Sequence, residues 1–158
     1  MITLEQLLRS RDERAALQLS LLKEHPGSTL VCFTVQLPGS EKRNKLSLSI
    51  AEAGLMALQD MFGLAERVRD LETGYEAYFL VPAPAEEVKR QCCELEERHP
   101  LGRLMDIDVI GPKGPVSRTE VGFDARKCLL CDQPARVCMR AHTHTTEELL
   151  RIIEQMVC

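Results

Sequence analysis

The sequence lacks three features that would point to a membrane, an export route or nucleic acid. It has 158 residues, and no apolar run reaches the roughly 20 residues that a membrane-spanning helix needs. Its first residues, Met1 to Glu5, bring an early acid and lack the apolar core of a signal peptide. The net charge of −4 argues against a general nucleic-acid binder. We therefore expect a cytoplasmic protein with no membrane and no nucleic-acid partner.

Internal repeats and low-complexity tracts are also absent from the sequence. Apolar residues make up 44% and charged residues 28%, which is typical of a globular domain that buries a sizeable core. Helical and strand-like patterns alternate, so we expect an α+β fold with helices covering a mixed β-sheet. We expect one domain over residues 1–158, with a core over 1–120 and a Cys/His-rich segment plus terminal helix over 121–158.

Capping signals place the helices. A hydroxyl residue three positions before Gln or Glu has the spacing of a capping box, which opens a helix. Such pairs predict helices that start after Thr3, Ser10, Ser49 and Thr145, and Pro84 suits the first turn of another. The patterns predict helices over 4–9, 11–24, 50–62, 84–97 and 146–156, strands over 29–36, 75–81 and 104–110, and a hairpin return over 116–120.

One predicted strand carries two carboxylates, Asp106 and Asp108. Side chains alternate across a strand, so both point to one face while Met105, Ile107 and Val109 point to the other. Adjacent carboxylates repel unless a cation lies between them, and Mg²⁺ is commonly held by one or two carboxylates together with substrate phosphates. The spacing indicates a magnesium site for phosphoryl or nucleotidyl transfer. Two solvated Asp residues on a half-exposed strand would give the same pattern.

Four of the seven cysteines lie between Cys128 and Cys158. Within them, Cys128-x2-Cys131-x6-Cys138-x5-His144 has the ligand types and spacing of a closed, structural Zn²⁺ site. His142 competes with His144 as the fourth ligand. Buried thiols without a metal, or a redox pair of Cys128 and Cys131, are the alternatives. Disulfides are rare in a reducing cytosol, which favours metal binding or burial.

Several basic residues are candidates for binding phosphate. Arg11 and Arg14 lie at the start of a predicted helix, and Arg43 lies in the polar loop after the first strand. Arg103 precedes Asp106 by three residues, so the chain itself holds it near the carboxylates. Arg presents a rigid fork of donors that fits phosphate oxygens. A phosphate-rich substrate would need several of these side chains to converge.

These motifs occur together in one known family. Over nearly its whole length the chain resembles the apo-citrate lyase phosphoribosyl-dephospho-CoA transferases, also called holo-citrate lyase synthases. The segments that carry the resemblance are Ser10–Arg14, Phe33–Val35 with Pro38 and Gly39, His99–Leu104, Asp106–Val109, and Arg126–Cys131 with Ala135, Cys138, Arg140 and His144.

The resemblance implies a reaction. Family members attach 2′-(5″-triphosphoribosyl)-3′-dephospho-CoA to a serine of the small acyl-carrier subunit of citrate lyase, and pyrophosphate leaves. On this basis, and from the basic residues above, the expected site residues are Asp106, Asp108, Arg103 and His99 for catalysis, Gly102, Arg11, Arg14 and Arg43 for substrate binding, Asp106 and Asp108 for Mg²⁺, and Cys128, Cys131, Cys138 and His144 for Zn²⁺. His99 has a second expected role, which is to cap the end of a helix.

Two other functions fit the sequence. The analogous transferase of malonate decarboxylase performs the same chemistry on a different carrier. A non-catalytic, zinc-stabilised adaptor that binds a partner protein would need the Cys/His cluster but would not need Asp106 and Asp108. A glycine followed by Asp-x-Asp on a strand is also similar to the nucleotidyltransferase superfamily, which would extend the fold prediction to that class.

Overall fold

The structure is a computed structural model that describes residues 2–158 and contains a five-stranded sheet with helices. The predicted α+β class is confirmed. The helices and strands, in chain order, are α1 (Leu4–Glu24), β1 (Thr29–Val35), α2 (Lys45–Phe62), β2 (Arg67–Leu71), β3 (Gly74–Val81), α3 (Ala85–Arg98), β4 (Met105–Gly111), β5 (Gly114–Val116), α4 (Ala135–Ala141) and α5 (Thr146–Val157).

The sheet has strand order β2-β3-β1-β4-β5, and every pairing among the described residues is antiparallel, so the prediction that the sheet is mixed is wrong. Its central strand, β1, is a nearly continuous run of β-prone residues. The short β5 pairs only with residues 109–111, so no described strand pairs with the outer edge of β4 at residues 105–108. At this edge, Lys89 Nζ donates a 2.9 Å hydrogen bond to the carbonyl of Ile107.

The two faces of the sheet differ in polarity. One face carries Phe33, Phe79 and Ile107, which are buried against residues of α2 and α3. Burying a Phe or Ile side chain contributes about 1.5–3 kcal/mol, so this face supplies most of the core. The opposite face is apolar at one end, where Leu21 of α1 covers Tyr78. The rest of that face carries polar side chains, including both candidate carboxylates.

Helix α1 is continuous from Leu4 to Glu24, so the predicted break at Ser10 is wrong. The Thr3–Gln6 capping box is confirmed at its start. Ser10 lies inside the helix, where its hydroxyl bonds the hydroxyl of Thr73 at 2.9 Å. A tertiary contact, rather than a local cap, therefore engages this side chain.

Two further predicted boundaries need correction. Helix α2 begins about a turn earlier than predicted, because Asn44 and Ser47, rather than Ser49 and Glu52, form its capping box. The hairpin return stops at Val116, and a 3₁₀ turn follows over Thr119–Val121. Strand β2 and helix α4 were not predicted.

The turn between α3 and β4 positions the carboxylate strand. It contains a 3₁₀ turn over Gly102–Leu104, and Gly102 is buried. A Cβ atom at Gly102 would overlap the carbonyl oxygen of Glu96 in α3, so a side chain would push the turn away from the helix. This close approach sets Arg103 at the entry to β4.

Helix α5 packs on the core beside this turn. Ile153 is 1% exposed and lies in one buried cluster with Ile50 of α2 and Leu104. The Cys/His-rich segment therefore joins the sheet domain through a shared apolar contact. No helix among residues 2–158 is long and apolar enough to cross a bilayer.

Candidate active site and metal centre

A row of polar residues crosses four strands on the partly open face of the sheet. Asp106 of β4 lies opposite Thr34 of β1, Thr34 lies opposite Glu76 of β3, and Glu76 lies opposite Arg69 of β2. Neighbouring side chains on one face of a sheet contact each other across such a row. The register therefore brings charged groups from distant parts of the sequence into one surface.

The prediction that Asp106 and Asp108 share a face agrees with the alternating burial along β4. Asp106 is half-buried and Asp108 is exposed. Neither carboxylate has a hydrogen bond or an ion pair with another residue of the described chain. Partial burial of the carboxyl group, and then the negative charge of Asp106, raise the pKa of Asp108. This shift is the one that crowded carboxylates undergo without a bound cation.

A cleft of about 560 Å³ opens over this face. Four of the residues predicted for catalysis or substrate binding line it: Arg11, Arg14, Arg103 and Asp106. Its other walls come from α1, the loop after β1, the Cys/His-rich segment and α5. Charged and apolar surfaces meet here, as is common in sites that take a phosphate-bearing cofactor or substrate.

A second hollow of about 370 Å³ lies on the outer side of β4. Asp106 lines both the cleft and this hollow, and Asp108 lines only the hollow. Three basic side chains, Lys89, Arg118 and Arg126, also line it. The carboxylate pair thus lies between two cavities at the open edge of the sheet.

Arg103 and Arg126 connect the carboxylate strand to the Cys/His-rich segment. The Arg103 guanidinium donates to the carbonyl of Lys127, which directly precedes Cys128. Arg126 Nη2 donates to the carbonyl of Gly102 at 2.8 Å, and its Nη1 lies 3.6 Å from the buried carboxylate of Glu96. These contacts fix the segment against the turn that carries Arg103.

The structure places three other predicted site residues away from the lining of the cleft. His99 Nδ1 accepts the Leu101 N–H at 3.0 Å, so this ring stabilises the turn after α3. Arg43 is exposed and forms a two-point ion pair with Asp70, at 2.9 and 3.0 Å. Gly102 is buried against α3. Their assigned roles stay predictions.

The predicted metal ligands Cys128, Cys131, Cys138 and His144 come together, with ligand atoms all within 4.8 Å of one another. The Sγ atoms of Cys131 and Cys138 are 3.4 Å apart. Zn–S bonds of about 2.3 Å in a tetrahedral site give sulfur separations of about 3.8 Å, so the cluster is close to that geometry. Burial raises the pKa of the Cys128 thiol, but hydrogen bonds from the amides of Leu130 and Cys131 prevail and lower it to about 7.

His144, rather than His142, completes this set. His144 Nδ1 lies 3.8 Å from a carboxylate oxygen of Glu148, and its buried Nε2 has no hydrogen-bond partner among the described residues. A metal-binding His typically has a carboxylate at one ring nitrogen and the metal at the other. His142 is exposed and ends α4 with a left-handed backbone (φ 50°). These residues fit a Zn²⁺ ion.

Comparison with known proteins identifies the family of this chain. Residues 2–158 match the family described as apo-citrate lyase phosphoribosyl-dephospho-CoA transferase. The chain belongs to this family. The family resemblance inferred from the motifs is therefore confirmed.

Named relatives support the same assignment. Over 163 residues the chain is 39% identical to the apo-citrate lyase phosphoribosyl-dephospho-CoA transferase of Escherichia coli O7:K1, with 99% of this chain and 88% of the relative covered. A probable transferase of the same name from Streptococcus pyogenes is 36% identical over 164 residues, covering 99% and 85%. "Protein CitXG" of Haemophilus influenzae is 40% identical over 162 residues, but the match covers 98% of this chain and 35% of that longer protein.

Sequence reasoning missed Glu76, a charged residue on the polar face of the sheet. Glu76 is 2% exposed and lies on the same sheet face as the carboxylates. The signal was present in the sequence, since Glu76 interrupts the otherwise β-prone run of Gly74–Val81. A buried carboxylate must have partners, and those of Glu76 come from α1, β2 and β3.

Proposed function

We propose that the protein transfers the 2′-(5″-triphosphoribosyl)-3′-dephospho-CoA group to a serine of the apo acyl-carrier subunit of citrate lyase and releases pyrophosphate. The family match over residues 2–158 supports the group and the carrier. The observation that carries the proposal is the cleft, which Arg11, Arg14 and Arg103 line together with Asp106. Three guanidinium groups beside a carboxylate provide the charges that a triphosphate with a bound divalent cation requires.

The proposed reaction is a displacement at phosphorus. The serine oxygen of the carrier forms a bond to the α-phosphorus, and the bond from that phosphorus to the pyrophosphate oxygen breaks. The serine proton passes to solvent or to a base. Arg103 and Arg14 bind the β- and γ-phosphates, and they offset the charge that the leaving pyrophosphate gains.

We infer that Asp106 and Asp108 hold Mg²⁺. Both offer oxygen ligands on one strand face, and neither has a cation of its own within hydrogen-bonding distance in the described chain. A magnesium ion at these carboxylates would supply charge neutralisation for the phosphate oxygens.

We infer that Cys128, Cys131, Cys138 and His144 hold a structural Zn²⁺ ion. Four protein ligands leave no open coordination position, which is the arrangement of a structural rather than a catalytic zinc site. Cys128, Cys138 and His144 also line the cleft, so the ion would hold one of its walls in place.

Mass spectrometry of the carrier tests the function. The purified protein, Mg²⁺ and the triphosphoribosyl substrate are incubated with the apo carrier, and pyrophosphate is measured in the same sample. We expect the carrier mass to rise by that of the substrate less pyrophosphate, with one pyrophosphate released per carrier. A carrier with Ala in place of the acceptor serine is the control and should stay unmodified.

Two outcomes would contradict the proposal. Modification of the malonate decarboxylase carrier alone would assign the chain to that related system. Tight binding of the citrate lyase carrier with no change in its mass would favour an adaptor.

A further inference from the structure

The buried carboxylate of Glu76 has no part in the reaction proposed above. It accepts a hydrogen bond from the Tyr78 hydroxyl at 2.5 Å. Arg14 Nε donates to it at 3.3 Å, and Arg69 Nη1 lies 3.3 Å from its other oxygen. A carboxylate held by two hydrogen bonds and an ion pair, with partners on three different elements, has a fixed position.

Arg14 contacts this carboxylate with only one part of its guanidinium group. Its Nε donates to Glu76, and neither Nη atom donates a hydrogen bond within residues 2–158. The side chain is 33% exposed and lines the cleft. The outer fork of the guanidinium, with four N–H donors, is therefore free to bind an anion there.

The sheet register sets the distance between Glu76 and Asp106. Glu76 and Asp106 lie opposite the same residue, Thr34, on either side of β1. Their strands are therefore two spacings apart, or about 10 Å. Arg14 Nε donates to Glu76, so the guanidinium lies on this same sheet face, and its positive charge acts to lower the pKa of Asp108.

We propose that Glu76 is a positioning residue that orients Arg14, so that the two Nη groups of Arg14 bind the pyrophosphate portion of the substrate. This inference rests on the proposed transferase function. Glu76 lies beneath the guanidinium and touches neither substrate nor reacting atoms. Glu13, which pairs with Arg69 at 2.9 Å, provides a matched acid outside this contact.

A double-mutant cycle tests the coupling. Calorimetry measures the Kd of Mg-pyrophosphate for the wild type, Glu76→Gln, Arg14→Gln and the double variant, and transfer assays give KM for the triphosphoribosyl substrate. We expect each single variant to raise both constants by about tenfold and the double variant to be no worse than the weaker-binding single one. Glu13→Gln should change them by less than about twofold.

A second cycle covers the case in which Glu76→Gln does not fold. Tyr78→Phe removes one donor to Glu76 while keeping the aromatic ring buried, and it is combined with Arg14→Gln in the same way. We expect the Tyr78→Phe effect on Kd to disappear when Arg14 is already absent. Thermal unfolding of each variant separates loss of fold from loss of affinity.

Two results would overturn the positioning role. One is an unchanged pyrophosphate Kd in folded Glu76→Gln or Tyr78→Phe. The other is additive effects, with the double variant weakened by about a hundredfold. A wild-type protein that binds pyrophosphate in this coupled way but never modifies the carrier would instead refute the proposed function and leave the positioning role intact.

Discussion

Asp106 and Asp108 carry neighbouring negative charges on one strand face, and no residue of the described chain forms an ion pair with them. Replacing either residue by Asn keeps the size of the side chain but removes its negative charge and one of its two oxygen ligands. If the pair binds Mg²⁺, we expect Asp106→Asn and Asp108→Asn each to lower the carrier-modification rate by about a hundredfold or more, since a metal supplies several kcal/mol at the transition state.

Asp60→Asn is the control for that experiment, because Asp60 is exposed on α2 and does not line the cleft. Its rate should equal that of the wild type. Wild-type rates in both Asp106→Asn and Asp108→Asn would remove the magnesium role.

The raised pKa of Asp108 also predicts a pH-dependent stability. Its pKa is raised in the folded chain above the ordinary 3.8, so the folded chain binds the proton more tightly than the unfolded chain does. The ionised form therefore destabilises the fold above this pKa, and that cost vanishes as pH falls below 3.8. Without Mg²⁺, we expect Asp108→Asn to have a higher Tm than the wild type at pH 7 and an equal Tm near pH 3. A lower Tm at pH 7 would contradict this account.

Among the elements, the Cys/His-rich segment is the one for which we propose a structural metal. We expect one zinc per chain in elemental analysis, and a large loss of zinc in Cys138→Ser and His144→Ala. Since structural zinc contributes directly to folding, these variants should unfold at lower temperature and be cleaved more readily within residues 126–144. Cys158→Ser, at an exposed cysteine outside the cluster, should retain its zinc. Zinc-free wild-type protein, purified without chelator, would refute the site.

Gly102 tests the contact between α3 and the turn that carries Arg103. Because a Cβ atom there would overlap the Glu96 carbonyl oxygen, we expect Gly102→Ala to lower the free energy of unfolding by about 1–3 kcal/mol. Gly27→Ala is a control with open space around it, although its positive φ of 87° carries a cost of its own of about 1–2 kcal/mol. Denaturant unfolding measures both variants. Equal stability of Gly102→Ala and the wild type would show that the turn can move.

Elements with a strong local signal were predicted well, and elements that depend on tertiary contacts were not. The apolar run of β1 and the capping boxes at Thr3 and Thr145 were sufficient to place their elements. Strand β2 was missed because Arg67, Arg69 and Asp70 give it little β character, and it forms as an exposed edge against β3. The spacing predicted the three cysteines of the candidate metal centre and left His142 and His144 as alternatives for the fourth ligand, which the structure decides in favour of His144. The contact of Arg14 with Glu76 needs the sheet register, which no local pattern contains.

At the scale of the whole molecule, the cleft is bounded by α1, the sheet, the Cys/His-rich segment and α5. A ligand that contacts all of these elements binds the folded chain only. We therefore expect Mg-pyrophosphate at a hundred times its Kd to stabilise the protein by about 2.7 kcal/mol, measured as a rise in Tm. Hydrogen exchange should slow in both α1 and residues 126–144. Protection of α1 alone would show that the segment does not contact the ligand.

The open outer edge of β4 also affects how this protein meets other chains. Unpaired strand edges invite pairing with strands of neighbouring molecules, which leads to aggregation. Here the ammonium group of Lys89 donates a hydrogen bond to the carbonyl of Ile107. The acidic residues Asp106 and Asp108 lie on either side of Ile107 in the strand. Those charges make the strand a poor template for a further strand. The residues proposed to bind magnesium thus also disfavour the addition of a strand at this edge.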